Sequence, residues 1–461
     1  MTAVLTRPRT LAGIATAPRV ATTVCVGAAA MASLAPSLLP RSAVVQAILT
    51  GVLVAGGWAA AALWHKATGR FTRSVELGPR IRTIVAWSGA AAIAATLLLA
   101  QHWQNEIRAA MGVPATGAAH WTAVAVGAAA VAAVLVGISS ALLRLLRAAL
   151  RRVRRSSRAR RVTAGILAAA LVTAFWVGPT ARVAGAAHTA NAAAGLSQPL
   201  PESSSLSGST DSLTPWSTLG GQGRRFVTAP ASESTVRTYV GLDSAPDLES
   251  RVGLAVRELE RAGGFARSNL VIAVPTGSGW IDANALAGFE RRFGGDVAEV
   301  ALQYSSAPSW AAFVFDRGSV EESARALYSA VVQRLSELPA GHRPDLYVYG
   351  QSLGAIGAAA AAAAGPMAPC GVLLAGPPSG RAPSPDVTVL ANASDPVVHW
   401  SPRLLVVPPR LDGTRPDAPT PPWLPLVSFV QTSVDLLTSL DSAPGHGHRY
   451  GTDQGTALPD C

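Results

Sequence analysis

The stretch DLYVYGQSLGAIGAAA, Asp345 to Ala360, runs from a short apolar segment into alanines through Gly350-Gln351-Ser352-Leu353-Gly354. A G-x-S-x-G pattern is weak evidence in a chain with 43 glycines, so its surroundings decide. Asp345–Tyr349 reads as a strand, and the residues after Gly354 read as a helix. A serine on so sharp a turn takes a strained backbone, and small residues two before and two after it keep strand and helix from clashing. No G-x-G-x-x-G and no P-loop lysine accompany the pattern, so the nucleotide-binding form of a Gly-rich strand–helix junction lacks its other marks. Ser352 is therefore the candidate nucleophile.

Strands and helices alternate around this stretch. VRTYVGL (236–242), NLVIAV (269–274), DVAEVALQYSS (296–306), CGVLLAG (370–376) and DVTVLAN (386–392) read as strands. DLESRVGLAVRELERAG, DANALAGFERRFG and SVEESARALYSAVVQRLSEL read as helices; the last places Val320, Ala324, Leu327, Val331 and Leu335 on one face. This alternation predicts an α/β domain over 235–461 with a mostly parallel sheet, covered by helices on both faces.

A serine nucleophile needs a base, and the base needs an orienting acid. In this architecture the acid and then the histidine follow the serine along the chain. Asp395, at the end of the second strand after the nucleophile strand, is the candidate acid, with Asp435 as backup. Only His446 and His448 of PGHGHRYG come later; His448, leading into Arg449-Tyr450, is the first choice and His446 the alternative base. His399 lies too close to Asp395 in sequence. A Gly-His-Gly-His metal site lacks further ligands, and no cofactor motif is visible. The oxyanion donors expected are the Leu353 N–H, at a helix start, and the Ser278 N–H in VPTGSGW (274–280), with Gly277 close behind.

The first half is different in kind. Charged residues make up 14% of the chain and the mean hydropathy is +0.31, where a soluble protein has about 25% charged residues. Five charge-free apolar runs follow one another: Val20–Leu39, Ala43–Trp64, Thr83–Ala100, Trp121–Leu143 and Val162–Val177. Each approaches the length that crosses ~30 Å of hydrocarbon. Basic residues collect before the first run, between the second and third, and at Arg144–Arg161 before the fifth. The positive-inside rule then places the N-terminus in the cytoplasm and everything after Val177 outside. The net charge of +11 is read as a topology signal rather than as a nucleic-acid surface. Spans without ionisable groups suit an anchor better than a translocation path. SLAPSLLPR (33–41) bends out of the first run with two prolines. The expected organisation is a membrane anchor of about five spans over 1–184, a flexible Ser/Gly/Pro-rich linker over 185–234, and the α/β domain. Cys370 and Cys461 either pair, if their domain faces an oxidising space, or stay free thiols.

The pieces SLAPSLLPR, GGQGRRFV, TGSGWID, QYSSAPSW, GQSLG, GPP, SDPVVHW and GHGHRYG occur in this order over nearly the whole chain. With them the chain resembles a bacterial family of membrane-anchored α/β-hydrolases. The resemblance implies a nucleophile at Ser352, an acid at Asp395 and a histidine of the Gly-His-Gly-His loop as base. Two departures bear on the lid and acyl pocket: the segment between Gly376 and Asp395 is short, and Ser306 stands where relatives tend to carry an aromatic. The expected function is a membrane-tethered serine hydrolase acting outside the bacterial cytoplasmic membrane on an ester of a lipid or envelope component. Its partners are then the bilayer and that ester, not nucleic acid. Acyl transfer with the same triad, or a non-catalytic hydrolase-fold scaffold, are the alternatives.

Overall fold

The computed structural model describes residues 19–71, 78–154, 186–307, 309, 312–313, 316–378 and 387–461. The chain divides into two compact units, Met1–Arg152 and Val153–Cys461.

The first unit holds α1 (Val20–Ser33), α2 (Ala43–Phe71), α3 (Pro79–Ala110) and α4 (Ala118–Arg154). Three segments, Ala43–Thr68, Pro79–Ala110 and Ala118–Ala149, are long and apolar enough to cross a membrane. The first apolar run differs from expectation. Its helix ends at Ser33 after 14 residues, about 21 Å at 1.5 Å per residue and short of a span. Pro36 and Pro40 are the reason, since neither supplies the N–H that would continue the helix. The fifth run, Val162–Val177, lies outside the described residues; among the described residues there are three span-length helices, and the expected count of about five is not confirmed.

SLAPSLLPR is a buried turn fastened to neighbouring helices. Ser37 and Leu39 are almost wholly enclosed. Trp103 Nε1 donates to Ser37 O (2.9 Å) and Gln104 Nε2 to Ser37 Oγ (2.9 Å). Arg41 N–H donates to Gln104 Oε1 (3.0 Å), and Arg108 Nη2 to Arg41 O (2.6 Å). Gln46 Nε2 caps Ser33 O at 2.8 Å. Non-helical backbone is tolerated beside an apolar solvent only when its polar groups are met in this way.

The second unit is built on β1 (Val236–Val240), β2 (Asn269–Val274), β3 (Val297–Leu302), β4 (Asp345–Gln351), β5 (Gly371–Ala375) and β6 (Val387–Leu390). All neighbours are parallel, in the order β1-β3-β2-β4-β5-β6. Because side chains alternate faces, Leu270, Ile272 and Val274 of β2 enter one core and Val271 and Ala273 the other. The first core is closed by residues of α6 (Leu248–Arg261), α8 (Arg317–Glu337) and α9 (Leu353–Ala362). The second is closed by α5 (Gly220–Val227) and α7 (Ala283–Phe293). The Cys370 and Cys461 sulfurs are bonded, which fixes the C-terminal residue beside the start of β5.

The linker expected over 185–234 is not a loose tether in its described part. Residues 186–193 are helical, and 205–207 extend the β1 edge, with Ser207 N–H donating to Arg237 O (3.0 Å) and Arg237 N–H to Ser205 O (3.1 Å). Leu219, Phe226 and Val227 are buried in the second core. Arg224, fully enclosed, donates to Ala194 O and Trp216 O (2.9 Å each). The buried Glu258 carboxylate accepts from Ser207 Oγ, Ser212 Oγ and Leu213 N–H. Composition misleads here because these hydroxyls and amides satisfy two buried ions instead of solvating a free chain.

Arg237 of β1 and Glu299 of β3 form a wholly buried pair, Nε to Oε2 2.6 Å. Burial pushes the Glu299 carboxyl up to about 7 against the opposing pull of Arg237. Arg237→Leu is expected to cost about 3–5 kcal/mol in urea unfolding, because it strands a buried carboxylate. A carboxyl raised on folding gives stability that is lost as pH rises through its folded value. The loss in Arg237→Leu should therefore be smaller near about pH 6, where Glu299 takes up a proton, than near about pH 8.

Candidate active site

β4 runs directly into α9, and Ser352 sits between them with φ 55° and ψ −124°. That conformation costs a non-glycine residue about 1–3 kcal/mol, so the surroundings must enforce it. They do so by leaving no alternative room. A Cβ on Gly350 would stand 2.2 Å from Gly354 O, and one on Gly354 2.3 Å from Val274 O. Ser352 N–H donates to Ala375 O at 2.9 Å, which continues the β4–β5 pairing through the turn. Leu353 is the first residue of α9, a position whose N–H has no partner within its own helix.

Asp395 follows β6 and caps the four-residue helix α10 (Pro396–His399), its Oδ1 accepting the Val397 N–H at 2.8 Å. Its Oδ2 accepts two more bonds, from His448 Nδ1 (2.7 Å) and from Tyr450 OH (2.6 Å). The carboxylate is completely buried. Because a carboxylate only accepts, the proton of the imidazole lies on Nδ1, and Nε2 presents its lone pair. His448 Nε2 is buried and makes no hydrogen bond among the described residues. Burial, and secondarily the Asp395 charge, raise the Tyr450 phenol well above its ordinary pKa, so it remains a donor.

Two contacts bring this pair to the Ser352 turn. Gln351 Nε2, from the residue before the serine, donates to His448 O at 3.2 Å. Gly376 follows the Ala375 carbonyl that holds Ser352 N–H. A Cβ on Gly376 would stand 2.7 Å from His448 Cε1 and 2.8 Å from Asp395 Oδ2. Only a residue without a side chain fits between serine turn and imidazole. Gln351, Gly376 and Tyr450 were not singled out for these contacts by sequence reasoning; the H-x-Y spacing of His448 and Tyr450 was the available signal.

The other candidates separate. His446 Nδ1 lies 3.1 Å from Asp417 Oδ2, and Asp417 in turn accepts from Ser394 N–H (3.0 Å) and from Ser394 Oγ. Gly447 N–H donates to Ser394 Oγ (2.7 Å) and Gly447 O accepts from Asn392 Nδ2 (2.9 Å). The Gly-His-Gly-His loop is thus fastened residue by residue. Gly447 has φ 56°, and the two imidazoles reach different carboxylates across it. Asp435 is buried at the end of α11 (Val427–Asp435), and His448 Nδ1 bonds Asp395 rather than it. His399 Nε2–H donates to Ala393 O at 2.8 Å, and burial lowers its pKa, so the ring is neutral.

Ser278 lies in the loop after β2. In that loop Thr276 N–H donates to Trp280 O (2.9 Å) and Gly279 N–H to Thr276 O (2.7 Å). Gln303 Nε2 fixes Ser278 O (2.9 Å), and Tyr239 OH fixes Gly279 O (2.9 Å). The loop starts on top of the Ser352 turn, through the Val274 carbonyl against Gly354. Gly277 abuts the backbone of Ser309. A cavity of about 310 Å³ is lined in part by Ser278, Ser306, Gln222 and Arg225; Ser352, Asp395 and His448 are not among its walls. Asp345, Cys370 and Cys461 have their ligand atoms close together, but with both sulfurs in a disulfide the group offers no thiolate to a metal.

The chain belongs to an alpha/beta-hydrolase family. The family's model matches residues 236–388 and 379–458, and the model of the family's N-terminus matches 34–230. No curated protein and no solved structure matches the chain.

The tightness of the turn is measurable. Gly354→Ala drives a Cβ into the Val274 carbonyl, backbone against backbone, and is expected to destabilise the second unit by on the order of 3 kcal/mol. Gly318→Ala in α8, with open space at its Cβ position, is the control and should leave the unfolding midpoint unchanged or raised.

Proposed function

We propose that the protein is a membrane-tethered serine hydrolase that cleaves an ester of a lipid or cell-envelope component. The observation that carries the reading is the strained Ser352 turn with the buried His448–Asp395 pair packed against it. Ser352 Oγ attacks the ester carbonyl. The Nε2 lone pair of His448 takes the hydroxyl proton and later returns it to the leaving alcohol, and a water repeats the cycle on the acyl-serine. Asp395 holds the imidazole in the Nδ1–H tautomer and stabilises the imidazolium as it forms. The Leu353 and Ser278 N–H groups receive the oxyanion, at the positive end of α9. Hydrogen bonds from Tyr450 and Val397 keep the carboxylate turned toward the imidazole.

The tether is the N-terminal unit, with its three span-length apolar helices. The arginine-rich flanks support an N-terminus inside and a hydrolase domain outside the cytoplasmic membrane. The Cys370–Cys461 disulfide supports the same side, since such bonds persist in oxidising compartments.

The wild-type chain should label with a fluorophosphonate probe, and Ser352→Ala should not; labelling that persists removes this serine from the role. Removing the general base should lower kcat by about 10⁴ or more in His448→Ala. His446→Ala, which breaks only the Asp417 contact, should lose less than about 10-fold, and the reverse ranking would assign the base to His446. A periplasmic reporter fused after Cys461 should be active, and a cytoplasmic result would overturn the orientation.

A further inference from the structure

A row of four buried polar side chains, Asp282, Gln454, Tyr349 and Gln351, is not used by the chemistry above. Asp282 ends the loop that carries Ser278 and caps α7, its Oδ1 accepting the Asn284 N–H at 3.0 Å. Its Oδ2 accepts from Gln454 Nε2 at 2.9 Å. Gln454 Oε1 accepts from Tyr349 OH at 2.6 Å, and Tyr349 stands on β4, three residues before Ser352. Gln351 shares that face of β4. Its Oε1 lies 3.4 Å from the phenol, and its Nε2 holds His448 O. From α7, Asn284 Nδ2 donates to Tyr450 O at 3.4 Å. The row therefore joins the Ser278 loop, the nucleophile strand, and the backbone of both His448 and Tyr450.

Gln454 is its hub. It belongs to α12 (Asp453–Thr456), a four-residue helix that follows the Gly-His-Gly-His loop. α12 lies backbone to backbone on α7. A Cβ on Gly455 would stand 2.1 Å from Gly288 C, and one on Gly288 2.3 Å from Thr452 O. Asp453 is paired with Arg415 (2.6 Å), while Gln454 is completely enclosed. An enclosed amide is costly unless both its ends are met. A carboxylate only accepts, which fixes Nε2 toward Asp282 and turns Oε1 to the phenol. Burial, and secondarily the Asp282 charge, raise the Tyr349 phenol well above its ordinary pKa, so it remains a donor. An apolar side chain of similar size would fill the space and meet neither end. We infer that Gln454 is a positioning residue for the base. By tying α12 to Asp282 and Tyr349, it sets where the loop of His448 stands against the Ser352 turn. The word base rests on the catalytic reading; the placing of the loop does not.

Full-length protein in detergent would be compared with Gln454→Leu and Gln454→Glu, well below each unfolding midpoint, so that only folded protein is read. One readout is the rate of Ser352 labelling by a fluorophosphonate, divided by the unmutated rate at the same pH. The other, which needs no catalysis, is hydrogen exchange at the Gly447, His448 and Arg449 amides, which donate to Ser394 Oγ, Ser439 O and His446 O. Gln454→Leu should label about 10- to 100-fold more slowly at every pH, the scale of an ångström-sized misplacement. Its loop amides should exchange at least about tenfold faster. Gln454→Glu tests the hydrogen bonds rather than the bulk. Its new carboxyl faces Asp282 and Tyr349, and two carboxylates at one site take up a shared proton as pH falls. The protonated form donates to Asp282 and accepts from Tyr349 as the amide does. Labelling should therefore recover to within about threefold of the unmutated chain as pH is lowered from about 8 to about 5.5. Space filling alone gives no such recovery. Labelling by Gln454→Leu within about threefold of the unmutated chain, or equal losses in both variants at every pH, overturns the proposal. If the unmutated chain does not label, the catalytic reading falls, and exchange decides the rest. Faster exchange in Gln454→Leu, with protection regained at low pH in Gln454→Glu, leaves the placing of the loop standing; unchanged exchange sinks it too.

Discussion

The second unit is arranged around one backbone conformation, the positive φ of Ser352. Nothing in the serine favours it. It is enforced by a turn so tight that the Cα atoms of Gly350 and Gly354 each face a carbonyl at a distance that excludes a methyl group. The turn in turn needs β4 to be central. β2 and β5 flank it in parallel register and supply the Val274 and Ala375 carbonyls that close it from two sides. A six-strand parallel sheet with both faces covered is rigid enough to hold such strain, and the strained residue is left half-buried at the C-terminal end of its strand, where open α/β sheets place their ligand sites.

The same economy governs Asp395. Its two oxygens take three donors from three places: a helix start, an imidazole and a phenol. A fully buried carboxylate is costly unless it is met in this way. Meeting it fixes the direction of the imidazole, because Oδ2 accepts only along its lone pairs and Tyr450 occupies the neighbouring direction. The burial that raises the Tyr450 pKa keeps this donor permanently in place. The order of the acid and the order of the histidine are thus consequences of one another.

What could be read from the chain, and what could not, follows from the range of the signals. Strand and helix periods are local, so the alternation from Val236 onward and the Ser352 turn were visible in residues within ten of one another. The family assignment was carried by short motifs in order. His448 was put before His446 only on its lead into Arg449-Tyr450; the geometry that parts the two was not visible, because it depends on Gly447, whose positive φ separates their directions, and on Asp417, some thirty residues upstream. The polar 185–234 segment misled for the same reason. Its serines look like solvated linker until Glu258, some fifty residues on in the chain, is seen to need them. Length misled in the first apolar run, where hydropathy continues to Leu39 but the prolines stop the helix at Ser33.

The docked segment changes what the tether means. A free linker from 185 to 234 would give a root-mean-square reach of about 40 Å and a far longer extended one. The chain instead engages the second unit from residue 186, nine residues after Val177, where the last apolar run ends. Nine residues reach at most about 32 Å. On the proposed topology, the start of the docked segment would lie within that distance of the bilayer surface. A soluble esterase must find its substrate by diffusion in three dimensions. On the proposed reading, a hydrolase on so short a lead would sample one lipid surface, and weak recognition of the ester there would be enough, because the effective concentration is set by the tether rather than by bulk solution.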